Sequence, residues 1–296
     1  MRYLILLVAS LSIVLATTRV EASPLAPGDV LVVAELLGTV HHYSSSGDDL
    51  GLFAGGLNGP AWITMDAGGN VWVVEYFGWR VDKFSSSGVQ LLSIATSFQP
   101  GDVRVGDDGT IYVGNYFGGG IYAYAPTGAP LGLFAASLPV DFMELDAAGN
   151  LYVDNSQGIV QRFSPTGGYL GEFAHHPAAA GLAFDGSGNL YVASFSPDWL
   201  IEKYSPTGTD LGLFAAMPLT MGIDFDSAGN LYTASGVVGR FSSTGLDLGS
   251  FDSEGAPLAG ARDIVVVPGS LTAVPEPSTI VLLGFGLVGI WRRLVG

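Results

Sequence analysis

Between residues 28 and 268, apolar positions come in short runs broken by turn-forming residues, and no stretch keeps a helical period. One unit shows the pattern. Ile63-Thr-Met65 leads through Asp66-Ala-Gly-Gly-Asn70 into Val71-Trp-Val-Val74, and Arg80-Val-Asp-Lys-Phe84 follows. That run closes at Ser85-Ser-Ser-Gly88, and Val89 to Ile94 completes the unit. An Asp that caps a turn and a Gly that takes positive φ suit tight hairpins, so the pattern predicts four antiparallel strands.

The unit recurs. Gly69-Asn70, Gly109-Thr110, Gly149-Asn150, Gly188-Asn189 and Gly229-Asn230 are spaced by 40, 40, 39 and 41 residues. A second marker runs from Tyr43-Ser-Ser-Ser-Gly47 through Tyr204-Ser-Pro-Thr-Gly208 to Phe241-Ser-Ser-Thr-Gly245, in six copies. A third follows it, as at Leu50-Gly-Leu-Phe53 and Leu211-Gly-Leu-Phe214. Four-stranded units of this period read as propeller blades. Residues 28–60 supply three strands, at Val30–Ala34, Thr39–Tyr43 and Leu50–Phe53, and lack the first. The missing strand stands at the other end, as Asp263-Ile-Val-Val-Val267. Pairing the two ends predicts an all-β fold: a six-bladed β-propeller over residues 28–270, with no open sheet edge at the seam.

The two termini differ from this core. Met1-Arg2-Tyr3 and the apolar segment Leu4 to Ala16, followed by Val20-Glu21-Ala22, read as a secretory signal peptide cleaved after Ala22. Residues 271–278 form a linker, and residues 279–296 hold a short apolar helix with a basic end. The run Ile280 to Trp291 would make roughly 18 Å of helix, short for a permanent span. Val274-Pro275-Glu276-Pro277-Ser278-Thr279, that run and Arg292-Arg293 together resemble the PEP-CTERM sorting signal. The resemblance implies transient anchoring in the inner membrane and removal of the tail by an exosortase-type protease. It further implies a cell-surface or matrix location in a Gram-negative bacterium, in association with exopolysaccharide.

Composition narrows the partners. With 11 basic against 27 acidic residues and a net charge of −16, electrostatic binding of nucleic acid or an anionic membrane is disfavoured. No cysteine is present, so packing and ring closure must stabilise the fold without disulfides. A monomer is expected.

The phrase Asp185-Gly-Ser-Gly-Asn-Leu-Tyr-Val192 with Tyr204-Ser-Pro-Thr-Gly208 resembles NHL repeats and the six-bladed propellers of the SMP-30/gluconolactonase group. That likeness implies the fold and admits both enzymes and binding modules.

Ligands of such propellers gather where the blade-to-blade loops and the loops between second and third strands meet. Aligning the repeats places Glu35, Glu75, Asn115, Asn155, Ser194 and Ser235 together at the ends of second strands. Trp62, Asp102, Phe142, Gly181, Gly222 and Asp263 align on the first strands, nearer the axis. One reading is a hard divalent cation, calcium or magnesium, held by Asp102 and Asp263 with help from Glu35 and Glu75. The SMP-30 likeness would then imply a metal-dependent hydrolase or lyase. The other reading is a set of solvated strand ends in an acidic protein.

Aromatic residues mark the same face: Tyr76, Phe77, Trp79, Tyr116, Phe117, Phe195 and Trp199. With Asn115 and Asn155 beside them they suit polysaccharide binding, or they simply cover the blade ends. The turn residues Asp66, Asp107, Asp146, Asp185 and Asp226 are read as caps. An exported binding or scaffold protein is the favoured expectation.

Overall fold

In blades 2 to 6 the turn between first and second strands is organised by one carboxylate. Asp66 Oδ1 accepts from the backbone N–H groups of Gly68 and Asn70, and Asn70 Nδ2 donates back to the same carboxylate. Asp146, Asp185 and Asp226 repeat the arrangement. Blade 3 corrects the sequence alignment. Gly106 occupies the capping position there, Asp107 does not cap, and Asp108 takes the role by accepting from Thr110 N and Oγ1.

These hairpins build six four-stranded antiparallel sheets in a computed structural model describing residues 23–269. Residues 137–138, 156–157, 177–178, 195–198, 252–257 and 259 are excepted, so Phe195 lies outside the described residues. So do residues 1–22, read above as a signal peptide, and the tail with Pro275, Glu276, Pro277, Arg292 and Arg293. Blade 1 joins the ends of the domain: Ala261–Val266 pairs antiparallel with Val30–Ala34, with Val30 opposite Val266 and Leu31 opposite Val265. The seam is where the sequence placed it.

The sequence markers are packing marks. In blades 3 to 6 the Tyr of the second strand meets the Phe of the fourth strand in its own blade, at 4.7 Å for Tyr112–Phe134, 4.8 Å for Tyr152–Phe173, 4.8 Å for Tyr191–Phe214 and 6.2 Å for Tyr232–Phe251. On their other sides the rings of Tyr152 and Tyr191 meet a Phe from the next blade's first strand, Phe184 at 4.9 Å and Phe225 at 4.7 Å. Inter-blade cores of buried aliphatic and aromatic side chains result, for example Ile121, Met143, Leu151 and Phe163 between blades 3 and 4. Blade 1 departs from regular strand: Glu35–Leu37 is a single 3-10 turn.

Candidate functional site: the channel and its aromatic mouth

The first strand of each blade is a sheet edge facing the axis. They are Ala261–Val266, Pro60–Met65, Pro100–Val105, Phe142–Leu145, Ala179–Phe184 and Gly222–Phe225, in blades 1 to 6. An edge strand has no ladder partner for half of its N–H groups, and a buried orphan N–H is costly. Three aspartates answer that need across blade boundaries. Asp102 Oδ2 accepts from Met143 N at 2.8 Å, Asp263 Oδ2 from Ile63 N at 3.0 Å, and Asp224 Oδ2 from Val266 N at 2.8 Å. The second oxygen of each accepts from the following residue in its own strand. Gly222 leaves the room that Asp263 occupies, since a Cβ there would collide with the Asp263 side chain.

Arg104, two residues beyond Asp102 and therefore on the same side of the strand, supplies the channel's positive charge. Its Nη1 donates to Asp102 Oδ1 at 2.7 Å and its Nε to Glu144 Oε2 at 3.1 Å. The spacing of Asp102 and Arg104 on one strand was the only trace of this pair in the sequence. A cavity of about 340 Å³ opens below them, at the end of the hairpin caps, lined by Arg104, Glu144, Asp224 and Thr64 among others.

The four carboxylates considered for a cation are each engaged. Asp102 and Asp263 hold backbone N–H groups of the next blade. Glu75 is fully buried, takes Arg80 Nη2 at 2.6 Å and accepts from Asn58 N. Glu35 pairs with Arg262 Nε at 3.0 Å. The alignment of Glu35 with Glu75 also changes. Ala34 stands opposite Thr39 as Glu75 stands opposite Arg80, so Glu35 lies one residue further on, in the 3-10 turn. Among the described residues, no three His, Cys, Asp or Glu side chains come together in a way that could hold a metal ion. The histidines are also dispersed: His42 bonds Asp29 at 2.8 Å, buried His176 lies 3.5 Å from Asp154, and exposed His175 meets Glu172.

The aromatic residues do converge. At the opposite end of the channel from the hairpin caps, buried Trp62 forms a hub, with ring centroids at 6.0 Å to Tyr76, 5.9 Å to Tyr116 and 6.1 Å to Phe142. Tyr76 and Tyr116 meet edge to face at 5.0 Å, and each carries the next residue, Phe77 or Phe117, on its outer side. Phe77 is 57% and Phe117 70% exposed, whereas the two tyrosines are half-buried. Arg262 stands over the Trp62 ring at 5.5 Å while pairing with Glu35. Arg262, Glu35 and Asp141 act on the hydroxyls of both tyrosines, which burial pushes above their ordinary pKa. The mouth therefore combines half-open aromatic rings with one cation and two carboxylates. Asn115 Oδ1 caps its own turn by accepting from Phe117 N; of Asn155 only the strand position is described. Trp62 and Phe142 appeared in the sequence alignment as inner-ring positions, but not as parts of an aromatic site.

Burial sets the titration of this region. It pushes Asp224 up to about 7, against the hydrogen bonds from Val266 and Phe225, and Asp141 up to about 6, against Arg262. Asp102 and Asp263 move in the same direction for the same reason. A carboxyl whose folded pKa exceeds its unfolded value binds more protons in the native state. Its stabilisation is therefore full below about 4 and is lost as pH rises through the folded pKa. At the acid end, hydrogen bonds outweigh burial at Asp66 and Asp185, lowering both and removing their contribution as pH falls. The melting temperature is expected to be about 3–6 °C higher at pH 5 than at pH 8, from roughly 1–2 kcal/mol of net linkage. Asp224→Asn, which keeps an acceptor for Val266 N, should reduce that difference. Calorimetric scans at the two pH values check both.

The C-terminal residues 273–293 match the PEP-CTERM protein-sorting motif. The chain therefore carries a signal for export and handling by an exosortase-type system, directing it to the surface or outside the cell. No curated protein matches the chain significantly. Among solved structures it is similar to a chain of a nidogen/laminin complex, at 14% identity and TM-score 0.69, covering 82% of this chain and 99% of that one. It is similar to a gluconolactonase from Xanthomonas campestris, at 16% identity and TM-score 0.59, with 80% and 88% covered. A streptogramin B lyase gives 14% identity and TM-score 0.59, with 81% and 87% covered. At such identities these likenesses establish the propeller fold. Among the described residues no helix is long and apolar enough to cross a membrane.

Proposed function

We propose that this exported propeller is a non-enzymatic binding or scaffold protein whose channel mouth takes sugar rings of a surface or matrix polysaccharide. The half-open Tyr76–Tyr116 pair, backed by Trp62 and Phe142, is the observation that carries this reading. Aromatic faces offer large apolar area with few rotors to freeze, and a sugar ring presents a flat C–H face to match. Arg262, Glu35 and Asp141 beside the rings supply donors and acceptors for ring hydroxyls. The sorting tail supports the same reading, because it directs the chain to where such polymers lie. The competing metal-dependent hydrolase or lyase would have to strip Asp102 and Asp263 of the N–H groups that join neighbouring blades.

Binding of the purified protein to the producing cell's own extracellular polysaccharide, followed calorimetrically, tests the proposal. Tyr76→Ala and Tyr116→Ala are each expected to weaken binding about tenfold, the size of one aromatic hot spot of about 1.4 kcal/mol. Unchanged affinity in the double variant would remove the mouth from consideration.

A further inference from the structure

The turn between second and third strands passes through the left-handed region in every blade. The residue just before the third strand is Gly38, Trp79, Gly120, Gly158 and Trp199 in blades 1 to 5, with φ of 66°, 55°, 112°, 78° and 50°, and in blade 6 Gly236, with φ of 82°, stands one residue earlier. The chain geometry is common: the carbonyls of Gly38, Trp79, Gly158 and Trp199 each accept an N–H from the loop entering the next blade. Four blades meet this geometry with glycine, which adopts it without strain, whereas a bulky residue there is an outlier that the fold itself does not require. Trp79 is nevertheless 49% exposed, and Trp199 is only partly buried. At Trp79 the backbone strain is held by a large, half-exposed side chain, which points to a use for it, and Trp199 repeats the strained backbone in a second blade. Blades 2 and 5 stand opposite one another in a six-membered ring, with the channel between them.

We infer that Trp79 and Trp199 are paired platforms for one extended, neutral polysaccharide chain lying across the channel mouth from blade 2 to blade 5. This rests on the sugar-binding reading of the mouth and deepens it, by assigning the ligand's form. An indole offers a flat apolar face and one N–H donor, the combination a pyranose ring and its hydroxyls engage. A mono- or disaccharide seated on Tyr76 and Tyr116 in blades 2 and 3 is too short to reach blade 5 as well, so a platform there suits a polymer. The net charge of −16 opposes a polyanionic chain, and stacking on indole faces needs no charge on the ligand, so the chain assigned is a neutral one.

The test uses the purified protein with neutral hexose polymers (a soluble β-glucan, a mannan and a galactan), their hexasaccharides and disaccharides, and alginate as a polyanion. One neutral polymer and its hexasaccharide should bind, the disaccharide about tenfold more weakly, and alginate not at all. Trp79→Gly and Trp199→Gly should each lower polymer affinity about tenfold and leave disaccharide affinity within about twofold. Both variants should melt within about 2 °C of the parent or above it, because relief of the left-handed strain offsets the added freedom of the unfolded chain. Tyr116→Ala should weaken polymer and disaccharide alike. Polymer binding that survives both Trp→Gly changes while Tyr116→Ala abolishes it overturns the platforms and leaves the mouth intact. A marked drop in melting temperature in both Trp→Gly variants would make the indoles packing groups and overturns the inference. Failure of every neutral glycan to bind the parent protein overturns both this inference and the reading beneath it.

Discussion

Asp102→Ala is expected to lower stability by about 3–5 kcal/mol, the cost of leaving a buried charge without its partner. Three donors converge on this carboxylate: Arg104 Nη1 at 2.7 Å, Val103 N at 2.7 Å and Met143 N at 2.8 Å. Asp102 is fully buried and the Arg104 side chain only 10% exposed, so water cannot readily replace what alanine removes. Glu144 would be left as the remaining close carboxylate partner of the guanidinium, at 3.1 Å. The loss falls between blades 3 and 4, because Met143 belongs to the next blade's first strand. Asp102→Asn retains an oxygen acceptor and should cost clearly less than the alanine change. Urea unfolding midpoints for the two variants give the comparison. Equal and small losses would mean that the channel is wetter than its geometry implies.

Trp62→Ala should be of similar size, about 3–5 kcal/mol, from burial and cavity terms together. Trp62 is 3% exposed and touches Tyr76, Tyr116 and Phe142, while Arg262 lies across its face. Its removal takes away the floor on which the two tyrosines rest. Trp62→Phe, which retains an aromatic surface, should recover much of the stability. Thermal unfolding reads the first effect, and polysaccharide affinity of whatever fraction remains folded reads the second. A Trp62→Ala protein that keeps full stability would show that the mouth repacks around the void.

These two residues illustrate what was and was not legible in the chain. Trp62 and Asp102 aligned on the inner ring because the repeat spacing places them there, and the strand registers agree. Their partners were hidden. Asp102 read as a ligand position because an acidic residue at a channel entrance looks free; its oxygens are taken by an N–H forty-one residues away and by Arg104. Glu35 aligned with Glu75 in sequence, yet the strand register sets Ala34 opposite Thr39 and moves Glu35 into a 3-10 turn. A one-residue offset is invisible to motif alignment when both candidates follow an apolar run, and in a pleated strand it changes the face.

Sequence by itself determined the strand order, the six units, the seam between the chain's two ends and the export signal at the C-terminus. Each of these rests on local chemistry repeated at fixed spacing: capped hairpins, alternating apolar runs and a contiguous sorting motif. Tertiary structure decided which carboxylates are free, which cation neutralises the channel, and that aromatics from three blades share one mouth. Those outcomes depend on contacts between edge strands of different blades, where the demand of unpaired N–H groups and the exclusion of water assign partners that no local pattern encodes. The left-handed backbone at Trp79 and Trp199 belongs with them, since only the superposed blades reveal that two tryptophans occupy a position made for glycine.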